Sequence, residues 1–104
     1  HYRHTKLAQL TALQDKLLNR ALRWLAPDGI LAFVTCSLDP QEGEERVAAL
    51  LHQHKTTHAG LMIVPPQNVP AAFIKNNMLR TTPADWAERG GMDGFFVALI
   101  GKTA

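Results

Sequence analysis

A proline, an aspartate and a glycine at positions 27–29 divide the first part of this chain, and the two segments they separate narrow the fold to one class. Proline presets φ, aspartate bonds its own backbone and glycine tolerates positive φ, so Pro27-Asp28-Gly29 is a turn. Before it, residues 5–25 repeat apolar side chains at helical spacing: Leu10, Leu13, Leu17, Ala21 and Trp24, widened by Leu7, Leu18, Leu22 and Leu25. The spacing predicts a helix packed on a sheet, with Trp24 in the core. Thr5 is its expected N-cap, Arg20 and Arg23 suit its dipole, and Pro27 stops it. After the turn, Ile30 to Val34 is a run of β-formers too short for a helix. Its lack of alternation predicts a strand covered on both faces. Thr35, Cys36 and Ser37 fall at the strand's carboxyl end, the side of an open α/β sheet where ligands bind.

The rest of the chain continues the alternation. Ser37 or Asp39 can cap a second helix that runs to about His54, with Pro40 in its first turn. Glu42, Glu44 and Glu45 sit at the positive end of its dipole, which accounts for these carboxylates without catalysis. Val47, Leu50, Leu51 and His54 form its inward face. Leu61 to Val64 is a second strand, ended by Pro65-Pro66. Residues 66–77 read as an irregular connection with a helical turn around Ala71 to Ile74. Met78 to Thr82 is a third strand, Ala84 to Gly91 a loop, and Phe95 to Ile100 the clearest strand of the second half. Asp93-Gly94 predicts a tight turn, with strands 78–82 and 95–100 antiparallel partners and Asp93 a turn residue. One of Phe95 and Phe96 should be core and the other should cover the second face. The predicted fold is α/β: parallel strands from a strand-helix-strand unit, closed at the edge by an antiparallel pair, as in the back half of a doubly wound domain. The glycine-rich nucleotide turn of such domains, with an acidic residue about 20 positions later, is absent.

Composition limits the function classes. A chain of 104 residues, 46% hydrophobic and 19% charged, is one globular domain or part of one. It holds no run near the ~18 apolar residues of a membrane span and no apolar signal core after His1-Tyr2-Arg3-His4, so a cytoplasmic location is expected. The single cysteine excludes an internal disulfide, and a free thiol suits a reducing compartment. His52, His54 and His58 have no cysteine or acidic partner at zinc spacing, and no metal is expected. Charge is uneven. Residues 1–26 carry Arg3, Lys6, Lys16, Arg20 and Arg23 against Asp15, and residues 27–54 carry Arg46 against five acids. A polyanion could meet the basic segments, and Arg80, Lys75, Arg3 and Lys6 are candidate phosphate contacts, with solvated charge the alternative for each. A lone cysteine at a strand end is either a small hydrophobe or a nucleophile, and the residues alone leave both open.

Three segments in order carry a resemblance. Leu25-Ala26-Pro27-Asp28-Gly29-Ile30-Leu31 is the pattern that precedes the fifth strand of class I methyltransferases, and Leu10 with Leu13-Gln14 matches the helix before it. Val34-Thr35-Cys36-Ser37-Leu38-Asp39-Pro40-Gln41-Glu42-Gly43-Glu44 resembles the Thr-Cys-Ser motif of the Sun-type RNA (cytosine-5) methyltransferases. Met92-Asp93-Gly94-Phe95-Phe96-Val97-Ala98 resembles their closing strand.

The resemblance implies a Rossmann-like class I domain that transfers methyl from S-adenosylmethionine to carbon 5 of cytosine in RNA, ribosomal ahead of transfer RNA. It implies that Cys36 adds to carbon 6 as the nucleophile, with Thr35 and Ser37 shaping its turn. The target base would have to be single-stranded or flipped.

The chain also departs from the family pattern. It lacks the second cysteine, in a Pro-Cys motif, that assists product release, and the usual Glu-Asn-Glu stands here as Glu42-Gly43-Glu44. The cofactor loop is missing too. The expectation is therefore a carboxyl-terminal piece of a larger enzyme, inactive alone, with a truncated sheet prone to self-association. Two other classes remain: a small-molecule methyltransferase in which Cys36 is incidental, and a non-catalytic RNA-binding or assembly module.

Overall fold

The computed structural model describes residues 2–54, 60–82 and 94–102. Helix α1 (Tyr2–Trp24) already runs at Thr5, so it starts earlier than a Thr5 cap would allow. It ends before a turn in which Asp28, and not Gly29, takes the positive φ of 66°. Gly29 serves a different need: a Cβ there would lie 2.8 Å from the Ala26 carbonyl oxygen and 2.9 Å from the Leu25 side chain. Strand β1 (Ile30–Thr35) follows. A 3-10 turn at Pro40–Glu42, capped by Asp39, then leads into helix α2 (Glu44–Gln53). The second half holds β2 (Leu61–Val64), a 3-10 turn at Ala71–Phe73, β3 (Ile74–Lys75), β4 (Met78–Thr81) and β5 (Phe95–Lys102).

Strand β5 is the axis of the sheet. It pairs antiparallel with β1 along Phe96 to Gly101, with β4 at Phe95 to Val97 and with β2 at Leu99 to Lys102. A strand has two hydrogen-bonding edges, so β4 and β2 share, end to end, the edge opposite β1. β1 and β2 therefore run in the same direction, as a strand-helix-strand unit requires, but β5 lies between them. The antiparallel closing strand is inserted at the centre of the sheet and not added at its rim, because its eight residues are the longest apolar strand and bury best with neighbours on both sides. The expected pairing of strands 78–82 and 95–100 is present, although the Asp93 turn and the loop at 84–91 lie outside the described residues. Asn76 and Asn77, at φ 53° and 65°, form the two-residue turn of a β3–β4 hairpin inside what the sequence presented as an irregular connection. Positive φ at both central residues is the signature of a type I′ hairpin turn, a role Asn fills readily.

Phe96, Ala98 and Ile100 are fully buried on one face of β5 and meet both helices there. Ile100 joins Leu18 and Leu22 of α1 and Leu50 of α2, while Phe96 and Ala98 join Val47 of α2. Each of these side chains other than that of Ala98 contributes roughly 1.5–3 kcal/mol by leaving water. Two expectations change here. Trp24 is 83% exposed and Leu10, Leu13 and Leu17 stand out of the core, because the seam that packs is the flanking one of Leu18, Leu22 and Leu25. β1 is covered on one face only: Leu31 and Phe33 pack inward, while Ile30 and Val34 are more than half exposed. Both follow from the two helices sharing one side of the sheet. Arg46 of α2 binds Asp15 of α1 at 2.6 Å and fixes the helices to each other.

Candidate active site

Strand β1 ends at Thr35, and Cys36 is the first residue past it, an exposed free thiol. Its neighbour Ser37 is held at every polar group it has. The Ser37 N–H donates to Thr35 Oγ1 at 3.1 Å. Its hydroxyl donates to Glu42 Oε2 at 2.7 Å and accepts from the Asp39 N–H at 3.2 Å. Its carbonyl oxygen accepts from Arg80 Nη1 at 2.6 Å. Asp39 Oδ1 in turn accepts from the Gln41 N–H at 2.9 Å, which starts the 3-10 turn. Local Ser/Thr/Asp bonds of this kind replace the ladder that the strand gives up at its end. Cys36 thus projects to solvent from a backbone fixed on both sides.

Arg80, on β4, supplies the one bond in this set that comes from far along the chain. Its Nε and Nη2 grip Glu44 Oε2 and Oε1 at 3.0 and 2.6 Å, a bidentate pair, while Nη1 takes the Ser37 carbonyl. The guanidinium carbon lies 5.0 Å from the centroid of Phe96, whose ring meets Phe33 edge to face at 5.9 Å. Gly43 makes the room for it: a Cβ at that buried position would stand 2.7 Å from Arg80 Nη2 and 3.1 Å from the Phe96 ring. The Glu44 carboxyl is held below its ordinary 4.5, first by the hydrogen bond from Arg80, against the opposing pull of burial. The charges of Arg80 and Lys75 lower it further.

Two of the four basic residues expected as phosphate contacts, Arg80 and Lys75, are used differently. The Arg80 side chain is only 18% exposed and bonded inward, whereas Lys75 is exposed on β3. Sequence reasoning missed the Arg80–Glu44 pair, because a 36-residue separation carries no periodic signal and the glutamate already had an explanation in the helix dipole. Among the described residues no three His, Cys, Asp or Glu side chains gather as a metal site. An open groove of about 820 Å³, lined by Lys16, Leu17, Arg20 and His54 among others, lies between the helices, and Cys36 is not part of its wall. No helix among the described residues is long and apolar enough to cross a membrane.

Compared with known families, residues 2–101 match the family described as 16S rRNA methyltransferase RsmB/F. The chain belongs to the RsmB/F family. Among curated relatives, Ribosomal RNA small subunit methyltransferase F of Cronobacter sakazakii is 31% identical over 92% of this chain and 19% of its own length. Ribosomal RNA small subunit methyltransferase B of Shewanella oneidensis is 28% identical over 73% of this chain and 21% of its own length. Among solved structures, a methyltransferase homolog protein from Pyrococcus horikoshii superposes with a TM-score of 0.68 at 28% identity, covering 95% of this chain and 32% of that one. This RsmB/F chain therefore spans about a fifth of the length of the curated relatives it matches. The α/β, Rossmann-like methyltransferase architecture expected from the sequence is the one it has.

Proposed function

We propose that this chain is the carboxyl-terminal portion of an RNA (cytosine-5) methyltransferase, with ribosomal RNA as substrate, and that Cys36 is its nucleophile. The observation that carries the reading is the exposed thiol at the carboxyl tip of β1, on a turn whose neighbouring residues are hydrogen-bonded into place. A thiolate there adds to carbon 6 of the base, and the electron pair of the ring double bond moves to carbon 5, which becomes nucleophilic. After substitution at carbon 5 and loss of its proton, the carbon–sulfur bond breaks, the double bond re-forms and the thiolate returns. S-Adenosylmethionine, when bound, supplies the electrophilic methyl group. The glycine-rich turn with a following acidic residue that would hold it is absent from this sequence. The reading assigns that pocket to polypeptide outside these 104 residues and holds the chain alone inactive. A thiol at a strand tip reaches a base only if the base is unstacked, so the substrate is single-stranded or flipped RNA. The apolar surfaces left open on α1 and β1 make self-association of the isolated chain part of the same reading.

The test is Cys36→Ser in the full-length protein that carries this chain. Methyl transfer to ribosomal RNA is expected to fall by on the order of a thousandfold with folding intact. Unchanged transfer would reject the covalent mechanism and leave a methyltransferase in which Cys36 is incidental.

A further inference from the structure

Cys36 is anchored through its neighbours: on one side Thr35 pairs with Phe96 in the sheet, and on the other, among the described residues, the bond to Ser37 that comes from outside the segment 35–44 is that of Arg80 on β4. We propose that Arg80 is a positioning residue for Cys36: clamped on Glu44, roofed by Phe96 and seated over Gly43, it holds the Ser37 carbonyl and so sets where the thiol stands relative to the base. The inference rests on the reading of Cys36 as nucleophile. Its geometry is over-determined. Two bonds to Glu44 fix the plane of the guanidinium, which leaves Nη1 aimed at the Ser37 carbonyl at 2.6 Å. Phe96 is fully buried, and its ring covers the guanidinium from one side. A Cβ at position 43 would come within 2.7 Å of Nη2 and 3.1 Å of the Phe96 ring, so the glycine keeps clear the space in which the two meet. Gly43 and Arg80 are thus a matched pair, one creating the space that the other fills. Lysine cannot substitute, because a single ammonium has neither the planar fork nor the reach to serve Glu44 twice and Ser37 together. This also separates the proposal from direct phosphate binding, in which lysine would largely replace arginine.

Two readouts decide it. In the 104-residue chain, amide exchange at Ser37 and Asp39 should quicken about tenfold or more in both Arg80→Lys and Gly43→Ala, while the amides of β5 keep their protection. In the full-length protein the same two substitutions should lower kcat about tenfold or more with KM for RNA nearly unchanged, and the double variant should be little worse than either single one. Unaltered exchange in both variants overturns the clamp. Quickened exchange with unaltered kcat overturns its link to the reaction, and a raised KM with kcat retained overturns it in favour of a phosphate contact. Failure of the nucleophile itself would be seen separately, as methyl transfer that survives Cys36→Ser.

Discussion

At the scale of single residues, the site depends on how few bonds are asked to do how much. Ser37 exchanges hydrogen bonds with four other residues, and removal of any one leaves a polar group to find water at the edge of a packed turn. The Glu44–Arg80 pair adds a pH dependence with a definite sign. Because the folded carboxyl titrates below its ordinary 4.5, the ionised form is favoured by folding. Its contribution is therefore complete above that value and disappears as pH falls through the folded pKa. The charged groups acting on Glu44 are Arg80 and Lys75. Melting curves of the chain and of Glu44→Gln should be separated at pH 6 and converge as the pH falls below 4.5. A constant gap across that window would show that the carboxylate adds nothing through its charge.

At the scale of elements, β5 does what the order of strands in the sequence does not announce. It lies between β1 and two other strands, and its last residue reaches back to the first helix: Lys102 Nζ donates to the Leu22 and Leu25 carbonyls at 3.2 and 3.3 Å. Arg20 and Arg23 seemed the natural complement to that helix end, yet the cation bonded there comes from 77 and 80 residues away. The burial pattern gives a direct measure of the strand's weight. Ile100→Ala, at 0% exposure between both helices, should cost about 2–5 kcal/mol in urea unfolding. Val34→Ala on the open face of β1, 58% exposed, should stay within about 0.5 kcal/mol. Similar costs at the two positions would mean that the β1 face is covered in solution.

At the scale of the whole molecule, the chain has more apolar surface than its own elements cover. Leu10, Leu13, Leu17 and Trp24 stand exposed on α1, Ile30 and Val34 on β1, and among the described residues β1 pairs with β5 alone. An open strand edge beside apolar side chains favours association. The isolated chain should sediment as a dimer or larger, and Leu17→Glu combined with Val34→Lys should return it to a monomer. A monomeric parent at high concentration would end that reading. The helical stripe shows why the sequence misleads here. Two adjoining apolar seams on one helix score alike by spacing, and only the placement of the sheet decides which one is buried.

What the sequence determined unaided was local: the order of the two helices and of every strand but β3, the turn before β1, the capped turn after it and the position of the one thiol at a strand tip. Short-range sterics and backbone bonding govern all of these, and they are written in adjacent residues. What only the tertiary structure decided were relations across long separations. These are the central place of β5, the buried seam of α1, Lys102 at a distant helix end and the inward grip of Arg80 on Glu44 and Ser37. Such contacts arise because a packed core leaves each side chain one place to go, and no periodicity in a single chain encodes that choice.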